Sequence, residues 1–428
     1  MVPETVTGRT GRIFYGWFAL AGVALVIFVV GGVFVNSFGV LLPVITVEFG
    51  WSRAMVAGAL SAGILAFGLP SPLYGIIVAK LRPRITLITG NLLAGLGIAG
   101  VYFVQEIWQM YILYILIGIG GGFGGYISCT TVISNWFIKK RSLALGVFIA
   151  CAGMGGFVFP PLTTSLISAI GWRETWLVLA GVIVLFGVLL GATILTRNRP
   201  EDMGLTPDGM PADAYTELEA AESQAVSDDK AAGWGIRQIM KGPTAWLIGG
   251  FSAANTFTMG TMVSHQIAYL QDIKFSAMTA ATTMSFMSVF SILGSLVFGA
   301  LAMRFKVRYL ASAFFAIQLM GLVVLLSSKE LGLIYVYAAF QGMSNGALTA
   351  AMPTFIGAYY PRQRYAQVMG MVLPFQVCSN AIATTVAGAI FDATSTYTPA
   401  FITAAIFCLA GLIFVFMARR PKQIAVIR

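Results

Sequence analysis

Long apolar runs alternate with short polar or basic turns along the whole chain, and the runs are long enough to cross a bilayer, which takes about 20 residues. The stretch from Gly118 to Pro161 shows the pattern most clearly: two glycine-rich apolar segments flank the basic clip Lys139-Lys140-Arg141. It predicts a helical hairpin whose glycines allow close helix approach and whose clip keeps the turn in the cytoplasm. The same reading yields twelve spans. The first six cover 16–42, 54–79, 85–104, 108–134, 142–168 and 174–196; the second six cover 244–270, 277–302, 309–328, 331–358, 365–390 and 398–418. Between them, 197–243 holds nine acidic residues and few large apolar ones before Trp234, which predicts a flexible cytoplasmic linker. Its end, Trp234 to Met240, reads either as an amphipathic surface segment or as a plain connector. The expected fold is therefore an all-α membrane protein with twelve transmembrane helices in two pseudo-symmetric six-helix bundles, 1–196 and 244–428.

Composition excludes a soluble domain, because only 10% of the 428 residues are charged, against about 25% in soluble proteins. The net charge of +10 could suggest nucleic acid, but its placement does not. With the N-terminus inside, only Arg53, Arg173, Lys274 and Lys329 of the 26 Lys and Arg fall outside. That bias predicts an even number of spans with both termini cytoplasmic. Cys129, Cys151, Cys378 and Cys408 all sit in apolar runs without metal-type spacing, so they read as packing residues. The apolar run from Gly16 to Leu42 exceeds the 7–15 residues, roughly, of a signal-peptide core. The halves echo each other: the turn Gly75 to Arg84 matches Gly299 to Arg308 at an offset of 224, and Phe137 to Arg141 matches Tyr360 to Arg364 at 223. Duplicated halves are how many transporters are built, with the substrate site between the repeats near the bilayer midplane.

Four further motifs carry a resemblance. They are Glu48-Phe-Gly-Trp-Ser-Arg53 after span 1, Trp136 to Gly146 before span 5, Gly171-Trp172-Arg173 before span 6, and Arg199 to Gly209 opening the linker. With these, the chain resembles the major facilitator superfamily, and within it the monocarboxylate transporter and oxalate–formate antiporter branch. The resemblance implies the major facilitator fold, alternating access, and a small organic acid as substrate, with proton symport or anion exchange as coupling. The chain also departs from that pattern. Ala79 and Met303 stand where the superfamily's turn carries an acid, Ser295 stands where the branch usually carries an arginine, and Ser291 stands where an acid is often found. Residues 366–390 contain no Lys or Arg, although oxalate-type members use a lysine there.

Every Lys, Arg, Asp and Glu lies in a turn or at a span end, so a bound carboxylate has no fixed counter-ion within the spans. Candidate contacts are therefore neutral or histidine. His265, the only histidine, shares a face with Thr258 and Thr261 and is the candidate proton carrier as well as a substrate ligand. Ser288, Ser291 and Ser295 form a stripe in span 8, Gln341 and Asn345 one in span 10, and Gln376 and Asn380 one in span 11. Asn36, Tyr126 and Asn255 complete the set of predicted substrate contacts. Interhelical hydrogen bonding is the alternative role for each. The glycine string Gly120 to Gly125 predicts close packing rather than nucleotide binding, since it lies in an apolar run with no preceding strand.

The expected protein is thus a secondary active transporter, not an enzyme, with no cofactor or metal. Its partners are a small-molecule substrate, protons and the lipid bilayer; nucleic acid is excluded, and a monomer in the plasma (cell inner) membrane is expected. A neutral or aromatic amphipathic metabolite is the alternative substrate, and a non-transporting receptor or assembly factor the remote alternative.

Overall fold

The computed structural model describes residues 14–217, 219–220, 242–327 and 330–420. The expected amphipathic segment Trp234 to Met240 lies outside the described residues. Among the described residues, twelve long helical units follow one another. The first bundle holds α1 (Gly16–Phe49), α2 (Arg53–Gly68 and Ser71–Leu81, bent by 50°), α3 (Pro83–Phe103), α4 (Ile107–Trp136), α5 (Arg141–Ile170) and α6 (Trp172–Leu195). The second holds α7 (Pro243–Asp272), α8 (Ala277–Leu301), α9 (Val307–Ser327), α10 (Leu331–Tyr359), α11 (Tyr365–Thr394) and α12 (Thr398–Met417).

Among the described residues, nine units are long and apolar enough to cross a membrane, ten if bent α2 counts as one span. The two units outside this set are α7 and α10, of 30 and 29 residues. Polar residues of both, including Asn255, Gln266, Gln341 and Ser344, are buried among their neighbours instead of facing lipid. Length and bundle packing keep these helices in place where hydropathy alone marks them weakly.

The glycine string of α4 is a packing device. A side chain at Gly118 would strike the Gly63 carbonyl of α2, and one at Gly124 would meet the Gly90 Cα of α3 at 2.6 Å. Besides the π-helical end of α6, Ile183–Leu195, two short π-turns each start on a glycine: Gly32–Asn36 in α1 and Gly122–Tyr126 in α4. Short π-turns are concentrated at functional sites, and these two end on predicted contacts, Asn36 and Tyr126.

One face collects the ends of even-numbered units. There Phe14 packs edge-on against Trp136 and Phe137, Tyr15 bonds the Leu195 carbonyl, and Thr244 bonds the Arg419 carbonyl. We call this the terminal face. On the opposite face Glu48, ending α1, accepts hydrogen bonds from Trp172 and from Arg173, whose guanidinium lies 4.3 Å over the Trp172 ring. Two motifs that lie 124 residues apart in the chain thereby meet.

The bundles join along two seams near the terminal face, α2 against α11 and α5 against α8. A Cβ at Gly370 would strike the Ser71 carbonyl, and one at Gly146 would meet the Ser295 carbonyl at 2.5 Å. The repeat offset of 224 relates these two contacts, carrying Ser71 to Ser295 and Gly146 to Gly370. The duplication read from the turns thus reappears as a pseudo-two-fold axis between the seams.

Candidate functional site

Two clefts begin where the seams end and lie toward the Glu48–Arg173 face. The larger, about 610 Å³, is lined by α1, α5, α7, α8 and α10. The smaller, about 290 Å³, is lined by α7, α11, α1, α2 and α4. The pseudo-two-fold axis exchanges the two, since each helix of one lining corresponds to a helix of the other.

Their chemistry differs at paired positions. Ser288, Ser291 and Asn345 of the larger cleft stand where the repeat puts Ile64, Phe67 and Gly121 of the smaller one. The larger cleft also receives Asn36, whose amide is held by the Gly31 carbonyl across the π-turn. Met259, Met284, Met287 and Phe157 supply its apolar walls. No Lys, Arg, Asp, Glu or His is among the lining residues of either cleft. Asn345 Oδ1 is buried and meets no protein donor among the described residues, so it has hydrogen-bonding capacity to offer.

The predicted contacts separate into three groups. Asn36, Ser291 and Asn345 line the larger cleft, and Gln376 and Asn380 the smaller. The amides of Gln376 and Asn380 are directed to α7, at Ser252 Oγ (2.6 Å) and the Thr256 carbonyl (3.5 Å). Tyr126 is buried beside Phe148, its hydroxyl bonded to no protein atom among the described residues. Of the remaining four, three are buried in packing interfaces and His265 is only half-buried. Asn255 accepts from Gln318 inside the second bundle, and Gln341 is buried there. Ser295 is wholly buried in the α5–α8 seam and donates to the Ile292 carbonyl. His265 Nε2 lies 3.1 Å from the Thr384 carbonyl, and its ring packs on Tyr397 between α7 and the end of α11. The stripes share helical faces as expected, but a helix with several packed neighbours offers several polar faces, and only packing decides which one meets the cleft.

The terminal face carries a feature that the linker's composition did not announce. Residues 197–217 are not a loose tether. Asp208, held at φ 55°, accepts the backbone N–H groups of Ile138 and Lys139 at 2.7 and 2.5 Å and that of Lys140 at 3.4 Å. Asn198 accepts from the Arg84 N–H, and Trp136 Nε1 donates to the Arg197 carbonyl. Glu201 pairs with Arg362 of the α10–α11 turn at 3.4 Å, and Tyr215 donates to Glu201 while accepting from Arg362. Burial and the Glu201 carboxylate push the Tyr215 phenol up to about 12, against the opposing pull of Arg362, so it remains a donor. Arg362 also donates to the Asn135 carbonyl, and Arg141 to the Gly357 carbonyl, so each guanidinium crosses from one bundle to the other. The signal that could have exposed this strap is the pair of acids, Glu201 and Asp208, placed among turn-forming Pro and Gly residues.

The Major Facilitator Superfamily model matches residues 23–328 and 245–427. The chain belongs to the Major Facilitator Superfamily. Within that superfamily it is similar to monocarboxylate transporter 13 of Rattus norvegicus, 26% identical over 402 residues, covering 93% of this chain and 87% of the relative. Monocarboxylate transporter 12-B of Danio rerio is 24% identical over 372 residues, covering 84% and 76%. Among solved structures, the proton:xylose symporter XylE superposes with a TM-score of 0.77 at 12% identity, covering 96% of this chain and 97% of that one. FucP, solved in the outward conformation, superposes at 0.73 with 14% identity, covering 95% and 100%. The superfamily fold is thus shared, and the protein is a multi-pass membrane transporter rather than an enzyme.

Proposed function

We propose that this superfamily member is a secondary active transporter that carries a small organic acid of the monocarboxylate type by alternating access. Its place is the plasma (cell inner) membrane, with both termini and the terminal face in the cytoplasm. The substrate sits in the larger cleft, between Asn36, Ser288, Ser291 and Asn345 on one side and the methionines on the other.

The uncharged lining of that cleft carries the reading. Burying an ionised carboxylate without a counter-charge costs several kcal/mol, roughly, so the acid is taken with its proton, as a neutral carboxyl. A protonated carboxyl donates one hydrogen bond and accepts others, which suits the amide and hydroxyl groups present. The coupling is then proton symport, with the proton riding on the substrate. The absence of charge also favours the second reading, a neutral or aromatic amphipathic metabolite held by the same groups.

Uptake of a labelled monocarboxylate into proteoliposomes, with protein-free vesicles subtracted, separates these readings. On the first, uptake rises about tenfold for each unit of acidification outside, following the protonated fraction above the carboxyl pKa. Uptake only of an uncharged analogue, independent of pH, would establish the second. Uptake only against a preloaded anion, with no pH effect, would sink proton symport in favour of exchange.

A further inference from the structure

The linker breaks the two-fold symmetry of the terminal face. Among the described residues, the linker roofs one of the two seams, α2 against α11, and lines there a partly open chamber of about 210 Å³. Arg82 enters from the α2–α3 turn, Arg199 from the linker and Arg362 from the α10–α11 turn. Asp202 is the only acid in the lining. Glu201, its sequence neighbour on the strap, engages Arg362 and Tyr215 through Oε1, while its buried Oε2 meets no protein donor among the described residues.

We propose that this chamber binds an anion of the phosphate class, bridging the two bundles. Arginines from three chain segments line it with one acid, Asp202; Arg362 is already paired with Glu201, which leaves Arg82 and Arg199 as the cations to meet a ligand. Arg362 is nine-tenths buried and held in place by its pair with Glu201, so it fixes one wall of the chamber. The Arg82 and Arg199 guanidinium groups make no hydrogen bond or ion pair among the described residues, and their planar forks suit phosphate oxygens. Asn198 spends its carbonyl oxygen on the Arg84 N–H, which turns its NH₂ into an available donor. Arg82 holds a positive φ of 69°, a conformation unfavourable to a non-glycine residue, so its placement is specified by its surroundings. The volume is about seven times that of a water molecule in the liquid, enough for a phosphate group with its hydration.

The walls come from both bundles, Val78 and Ala79 of α2 facing Ala366 of α11. An anion there stabilises the arrangement closed on this face and opposes its opening. The phosphate can belong to a soluble anion or to a lipid headgroup.

The test uses the full-length protein in phosphatidylcholine nanodiscs. Inorganic phosphate is titrated at constant ionic strength against chloride while Tm is followed, and a parallel set of discs contains phosphatidylglycerol. The expected result is a saturable rise in Tm with phosphate. Its half-saturation weakens about tenfold in Arg82→Gln or Arg199→Gln, the loss of one charged contact. The rise disappears in the double variant and persists in Arg304→Gln, an exposed cation on another turn of the same face. A rise produced by phosphatidylglycerol alone, with the same dependence on Arg82 and Arg199, assigns the phosphate to a lipid. Equilibrium binding of labelled phosphate to the wild-type protein, at one site per chain or from lipid extraction, gives a readout independent of the variants. No saturable rise with either source, or an equal rise in the double variant, overturns the proposal.

Discussion

At the scale of single residues, specificity rests on where two equivalent halves differ. The repeat puts Phe67 opposite Ser291 and Ile64 opposite Ser288, so the apolar pair narrows one cleft and the hydroxyl pair leaves the other wide and polar. Exchanging Ser291→Phe and Ser288→Ile gives the larger cleft the side chains of its twin. We expect uptake to fall at least about tenfold with Tm nearly unchanged, because the exchanged residues face a cleft and not a packed core. Labelled uptake and thermal unfolding of the same preparation check both halves of that statement. Glu48 is a residue of the opposite kind. It joins α1 to the α5–α6 turn through Trp172 and Arg173, and Glu48→Gln removes a charge-assisted contact worth about 1–2 kcal/mol. Thermal unfolding of Glu48→Gln should show a lower Tm, and a Tm equal to wild type would place the pair among ion pairs that add nothing. The sequence exposed both sets unequally. Ser291 and Asn345 could be singled out as polar groups in apolar runs, whereas Ser295, one turn further along the same stripe, belongs to a seam that becomes visible only when α5 is packed on α8.

At the scale of elements, the strap of residues 197–217 couples the halves. Its Asp208 carboxylate gathers three backbone N–H groups that the α4–α5 turn would otherwise leave to solvent. Asp208→Asn weakens these contacts by about 1.5–3 kcal/mol. Hydrogen exchange at the Ile138 to Lys140 amides should then accelerate by about tenfold or more, while α4 itself stays protected. Unchanged exchange would show that the turn is ordered without the strap. The strap also has a pH limit. The Tyr215 phenol lies above its ordinary value of 10.0 in the folded chain, so its contribution is complete below pH 10 and is lost as pH rises toward about 12. Tyr215→Phe should abolish that part of the alkaline loss of stability, read from Tm against pH. Composition alone suggested a loose linker here, since few large apolar residues mark it. The strap is fastened by carboxylates on backbone N–H groups, which hydrophobic pattern does not register.

At the scale of the whole molecule, the structure is closed at the terminal face and cleft toward the other. The closure depends on glycines that let backbones touch across the seams. Leu at Gly146 cannot coexist with the Ser295 carbonyl 2.5 Å from its Cβ, and Leu at Gly370 cannot coexist with the Ser71 carbonyl. We expect Gly146→Leu to wedge the face open, so that a Ser71→Cys thiol, buried in the parent, reacts at least about tenfold faster with a membrane-impermeant maleimide applied to that side. Equal labelling rates would mean that the seams are not what closes the face. The sequence by itself determined the spans, their even number, the charge asymmetry and the duplication. The first three follow from the cost of putting charge or unbonded backbone in lipid, which acts on every segment separately, and the duplication from two turns that repeat at nearly one offset. Tertiary structure alone decided which polar stripe meets the cleft, that His265 packs on Tyr397 and Thr384, and that the linker closes over one seam. Those outcomes depend on which neighbour a helix face meets, and a local pattern carries no information about the neighbour.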